Sequence, residues 1–155
     1  MDQQYTAFIS YRHLSPDDSI AKWLHSAIEN YHIPAAVRKQ TGIKKMGKCF
    51  RDAEELPLSP SLGDDIERAL DNSEWFIAVC SPRYLESLWC RREVEYFAEH
   101  KSRDKILIVL ADGHPNESIP ELMLWRYNET GERIAHQPLA ADARGATMSE
   151  RIKKL

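Results

Sequence analysis

Residues 5–11 form a run of aromatic and β-branched side chains, the kind that fills a buried strand. Two further runs, 75–80 and 106–110, are almost continuously apolar and predict strands covered on both faces. A shorter strand is predicted over 48–51. Between these runs the apolar period changes. Ile20, Trp23, Leu24, Ala27, Ile28 and Tyr31 recur at helical spacing and predict one buried helix face. Ser15 is the expected cap of that helix and Pro16 its first position, with Asp17 and Asp18 favouring the positive end of the dipole. Pro34 closes it. A second helix should turn Leu62, Ile66, Ala69 and Leu70 inward. Ser81-Pro82 repeats the cap-then-proline signal, and residues 83–100 are predicted as one helix or two pieces.

The remaining segments carry weaker patterns. Residues 35–47, with Gly42 and Gly47, and residues 52–61, with Pro57 and Pro60, are predicted as loops. Lys44, Lys45 and Lys48 make a small basic cluster, expected to be a solvated loop. Asp112-Gly113-His114-Pro115 is a turn signal. A short helix is expected in 118–127, an edge strand in 134–139 because Pro138 would interrupt an inner ladder, and a helix in 149–155. The alternation of strands and helices predicts a flavodoxin-like, doubly wound α/β fold: a parallel sheet of four to five strands with helices on both faces. The expected order is second, first, third, fourth, with any fifth strand at the edge. Ligands in such folds sit beyond the carboxyl ends of the strands. Those ends deliver Ser10-Tyr11-Arg12-His13, then Arg51-Asp52, then Ser81 and Asp112.

Composition narrows the partners. A chain of 155 residues suits one domain, expected here over 1–145, followed by a helical tail over 146–155 that begins a linker to a further module. A net charge of −3 gives no electrostatic reason to expect nucleic acid. No apolar run approaches the roughly 20 residues of a membrane span. Cys49, Cys80 and Cys90 lack CxxC spacing and are odd in number, which argues for reduced thiols in a cytoplasmic protein rather than disulfides or zinc. The six histidines have no HExxH or comparable spacing, so no metal is expected.

Three stretches together resemble the Toll/interleukin-1 receptor (TIR) domain family. The first is Phe8-Ile9-Ser10-Tyr11-Arg12. The second runs from Phe50-Arg51-Asp52 through Leu56-Pro57-Leu58-Ser59 to Ile66. The third is Ser81-Pro82-Arg83-Tyr84 with Ser87, Trp89-Cys90 and Glu93. The residues Pro138-Leu139-Ala140-Ala141-Asp142 are similar in style to bacterial members, which are often fused to effector or sensor modules. The receptor-type third box, with its Phe-Trp pair, is not evident. The resemblance implies a choice between two functions. Some members only assemble with like domains. Others hydrolyse NAD or cyclise its ADP-ribose part with one glutamate of the third helix, and Glu93 matches that glutamate.

The chemistry suits a single carboxylate. Nicotinamide in NAD is already a cation and leaves neutral, so no general acid is needed, unlike the two-carboxylate glycosidases. Glu93 would stabilise the oxocarbenium charge as it develops. Trp89, four residues earlier on the same helix face, would stack on nicotinamide or exclude water, beside Cys90. Phe8 or Tyr11 would offer another ring face, with Ser10 at the same strand end. Arg12 and Arg51 would pair with the pyrophosphate, and Asp52 and Leu56 would complete the substrate-binding set. No GxGxxG fingerprint is present, so NAD is expected as a substrate and not as a hydride-carrying cofactor. The implied role is the effector domain of a bacterial immune or antiphage defence protein, self-associating with other TIR domains. The 53–61 loop is expected to touch a neighbouring copy, with a fused sensor module as a further partner. The alternative is a non-catalytic assembly or adaptor module.

Overall fold

The structure, a computed structural model, describes residues 4–31, 33–42, 47–51, 63–136 and 138–144. Asp52, Leu56, the 53–61 loop, Leu62 and the 146–155 tail lie outside the described residues. Strand β1 (Tyr5–Ser10) leads to helix α1 (Asp17–Glu29), α2 (Ala35–Thr41) and β2 (Cys49–Arg51). Helix α3 (Asp64–Asp71) feeds β3 (Ser73–Cys80), which is followed by α4 (Pro82–Glu86) and α5 (Leu88–Phe97). A π-helical turn over Ala98–Ser102 and a 3-10 turn lead into β4 (Ile106–Leu110). Helices α6 (Pro115–Ser118) and α7 (Glu121–Leu124) come next, then β5 (Trp125–Tyr127), β6 (Arg133–Ala135) and β7 (Leu139–Asp142).

Five strands form one parallel sheet in the order β2-β1-β3-β4-β7. This is the doubly wound fold expected from the sequence, with the expected order and the fifth strand at the edge. Side-chain alternation divides the core into two layers. On β1, Phe8 faces one layer while Ala7 and Ile9 face the other. On β3, Phe76, Ala78 and Cys80 join Phe8, whereas Ile77 and Val79 join Ile9. The Phe8 layer is closed by Ile66, Ala69 and Leu70 of α3 and by Trp89, Cys90, Val94 and Phe97 of α5. The Ile9 layer is closed by Ile20, Ala21 and Leu24 of α1. Beside α1 that layer keeps an apolar groove of about 370 Å³ lined by residues including Ile28, Leu107, Val109 and Leu139.

Several expectations need correction. Helix α1 begins at Asp17 with Pro16 at its cap position, and no side chain caps it. Residues 35–41 are helical where a loop was expected; α2 buries no residue, so it has no apolar period to read, and Gly42 (φ 73°) ends it in a left-handed turn. The single strand expected over 134–139 is two strands. Its first part, β6, pairs antiparallel with β5 in a separate hairpin, and β7 begins after Pro138. Proline separates the two ladders because it cannot donate to either.

Candidate functional site

The alternation on β1 decides which expected site residues meet. Ser10, two after Phe8, faces α5, and Tyr11 faces α1. On α5, Trp89, Cys90, Glu93, Val94 and Phe97 are all buried against the sheet, because positions three and four apart share a face. Glu93 is the exception in chemistry: a carboxylate 3 % exposed among apolar neighbours. The hydroxyl of Ser10, itself 1 % exposed, donates to its Oε1 at 2.7 Å. The same serine oxygen lies 2.8 Å from the phenol of Tyr84, which is completely buried. Burial, with Cys90, Cys80 and Glu93 nearby, pushes the Tyr84 phenol well above its ordinary value, so it remains a protonated donor.

Around this line the other residues fall into place. Ser81 caps α4 by accepting the Tyr84 N–H at 3.1 Å, and Ser87 caps α5 by accepting the Cys90 N–H at 3.2 Å. The Cys90 thiol reaches the Tyr11 carbonyl at 3.4 Å and holds α5 to the end of β1. Trp89 is 7 % exposed, and its indole Nε1 is buried with no acceptor among the described residues. An indole N–H is a donor only, so it calls for an acceptor. Phe8 is fully buried and stacked between Phe50 and Phe76, with centroids at 5.2 and 5.6 Å. It packs the core beneath the site and presents no ring to a ligand.

Tyr11 and Arg51 stand on the opposite layer from Glu93. Arg51 Nη1 donates to the Tyr11 hydroxyl at 3.2 Å, and its Nε donates to His25 Nδ1 at 3.1 Å. That bond leaves the His25 proton on Nε2, which donates to Glu29 at 2.6 Å. Glu29 also accepts the Cys49 backbone N–H at 2.9 Å. In this arrangement Arg51 ties β2 to α1. Arg12, directly after Tyr11, is partly buried.

Two residues of this region have roles that the sequence alone does not assign. Tyr84 was visible only as part of the Ser81-Pro82-Arg83-Tyr84 motif; its role depends on β1 and α4 meeting. Asp17 is completely buried and accepts from Ser81 Oγ at 2.5 Å and from Arg83 Nη2 at 2.9 Å. Arg83 also pairs with Asp112 at 3.2 Å. Among the described residues no group of three or more His, Cys, Asp or Glu side chains is arranged to hold a metal ion.

The model of the TIR domain matches residues 7–135. An NAD(+) hydrolase, ApTIR, from an Actinoplanes species is 32 % identical over 115 residues, covering 71 % of this chain and 14 % of that protein. Toll-like receptor 6 of Bos taurus is 31 % identical over 121 residues, covering 76 % of this chain and 13 % of the receptor. The chain thus spans about one seventh of the length of these relatives. Among solved structures, the TIR domains of the activated Roq1 resistosome, which recognises the pathogen effector XopQ, share the fold with a TM-score of 0.52. They are 23 % identical, over 73 % of this chain and 61 % of that one.

Proposed function

The chain belongs to the TIR domain family, and from that premise we propose that it cleaves NAD at the bond between nicotinamide and ribose, with Glu93 as the catalytic carboxylate. The observation that carries this reading is the burial of Glu93. A glutamate kept for solubility would face water, as Glu95 and Glu99 of the same segment do. Burying an ionised carboxylate costs several kcal/mol unless it is well paired, and one position of the inner face of α5 is given over to it. The 32 % identity to an NAD(+) hydrolase supports the same assignment.

In the proposed reaction the C1′–N bond breaks and its electron pair leaves with the nicotinamide nitrogen. The ribose carbon becomes oxocarbenium-like, and Glu93 stabilises that charge in a site of low dielectric. Water then adds to C1′ and loses its proton, giving ADP-ribose; attack by a group within the ADP-ribose would give a cyclic product instead. Trp89 is the substrate contact with the most support, since its buried Nε1 lacks an acceptor among the described residues. Arg12, Asp52, Leu56 and Cys90 complete the proposed binding set. Arg51 belongs to the proposed set as well, tied through Nε and Nη1 to His25 and Tyr11. In a longer protein this domain would be the NAD-consuming effector of a bacterial immune or antiphage system. The likeness to Toll-like receptors favours a second reading, a module that only assembles.

One measurement separates the two. Concentrated protein is incubated with NAD and nicotinamide release is followed for the wild type, Glu93→Gln, Glu95→Gln and Glu99→Gln. Glu93→Gln should lose on the order of 100-fold or more in kcat, while the two exposed controls stay near the wild type. Full turnover in Glu93→Gln excludes the mechanism. No nicotinamide release from the wild type favours the assembly module.

A further inference from the structure

We propose that Tyr84 is a positioning residue that acts on Glu93 only through Ser10, in a one-way relay of hydrogen bonds; this rests on the reading of Glu93 as the catalytic carboxylate. The direction follows from counting protons. A carboxylate accepts and cannot donate, so the single hydroxyl proton of Ser10 is the one that fills its 2.7 Å bond to Glu93 Oε1. Ser10 therefore meets Tyr84 as an acceptor, and the 2.8 Å bond between them is donated by the phenol. The other acceptor near that phenol, the Cys90 carbonyl, lies at 3.5 Å, at the limit of useful contact. The reverse direction would send the Ser10 proton to Tyr84 and leave the buried carboxylate without this donor.

The relay spans three elements. Ser10 ends β1, Tyr84 lies in α4 and Glu93 in α5, and all three side chains are at least nine-tenths buried. Tyr84 is anchored by its own backbone, since its N–H is the one that Ser81 caps. Each bond polarises the next in a low-dielectric interior. The serine thereby becomes a stronger donor, and the Glu93 oxygen is held in one place in the ground state and in the transition state. Ser10 is thus assigned to the carboxylate and not to the substrate. The role is geometric: the relay aims Glu93 and adds no new contact with NAD.

The test uses the full chain and six proteins: wild type, Ser10→Ala, Tyr84→Phe, their double variant, Ser10→Cys and Glu93→Gln. Steady-state nicotinamide release gives kcat and KM, and thermal melts confirm folding. Ser10→Ala should lower kcat by about tenfold or more, the size of a hydrogen bond to a charged group, with KM within about twofold. Tyr84→Phe should lower kcat by a smaller factor, because Ser10 keeps its own bond. The double variant should be no slower than Ser10→Ala alone, since the relay has Tyr84 act on Glu93 through Ser10. Losses that multiply in the double variant, or that appear in KM with kcat intact, overturn the relay. Ser10→Cys, close in size but a weak donor, should behave like Ser10→Ala; wild-type kcat in it also overturns the proposal. Proton NMR of the buried Tyr84 hydroxyl reads the relay without turnover. Its resonance should shift in Ser10→Ala and in Glu93→Gln, and an unmoved resonance overturns the relay on its own. A wild type inert toward NAD instead removes the catalytic reading, and the positioning role with it, whatever the hydroxyl signal does.

Discussion

Asp17 illustrates what changes between a residue in a string and a residue in a fold. In the sequence it favours the positive end of a helix. In the structure it is completely buried and joins the first turn of α1 to the cap of α4 through Ser81, and to the loop after β4 through Arg83 and Asp112. The Asp17 carboxylate is the main reason that the Arg83 guanidinium is held above its ordinary value. Removing Asp17 takes this acceptor from the buried Ser81 hydroxyl and leaves Arg83 with Asp112 alone. Asp17→Ala should cost about 3 kcal/mol, read as a lower urea midpoint at unchanged slope. Asp17→Asn, which keeps an acceptor for Ser81, should cost less. The expected site residues show the same gap between type and placement. The residue types at the end of β1 were legible, and so was the strand. Applying its two-residue period to Phe8, Ser10 and Tyr11 separates Ser10 and Glu93 on one layer from Tyr11 and Arg51 on the other, which residue types alone do not reveal.

At the scale of elements, the sequence left open whether residues 83–100 make one helix or two, and Ser87 decides it. Its backbone is extended (φ −86°, ψ 114°) and its hydroxyl starts α5 by accepting the Cys90 N–H. Ser87→Ala should cost about 1 kcal/mol, seen as a lower melting temperature, and should loosen the segment that carries Trp89 and Glu93. The three inner strands, β1, β3 and β4, were legible because burial on both faces leaves long apolar runs. Helix α2, with no buried side chain, and the hairpin of β5 and β6, with three residues in each strand, leave no such trace. The α1–β2 junction adds a pH dependence. Glu29 is held below its ordinary value of 4.5, chiefly by the Cys49 backbone N–H, with burial opposing and His25 assisting. A carboxyl depressed in the fold stabilises it above the unfolded-state value, and that stability is lost as pH falls through the folded-state value. Wild type should therefore exceed Glu29→Gln in stability at neutral pH, and the difference should shrink as pH falls below about 4.5. Parallel acid titrations by circular dichroism check this; a constant difference across pH contradicts it.

At the scale of the whole molecule, the proposed catalytic group is 3 % exposed, beside an indole that is 7 % exposed. The proposed reaction requires that what covers the Glu93 carboxylate moves, and in a single chain that movement is opposed by the packing of α5 on β1 and β3. A neighbouring molecule that binds the open form better than the closed one shifts the balance by mass action. The 53–61 loop, from its sequence and its length, is the segment expected to make such a contact. Arg51, which precedes it in the chain, is in register with Ile9 of β1, one residue before the serine that holds Glu93. We therefore expect activity to depend on self-association. Specific activity for nicotinamide release should rise with protein concentration or with a crowding agent, in step with the mass measured by sedimentation. Substituting Glu54 and Glu55 with lysine should blunt that rise, with thermal melts run in parallel to check folding. If specific activity is constant while the protein stays monomeric across the whole range, the single chain opens on its own, and assembly has no part in exposing Glu93.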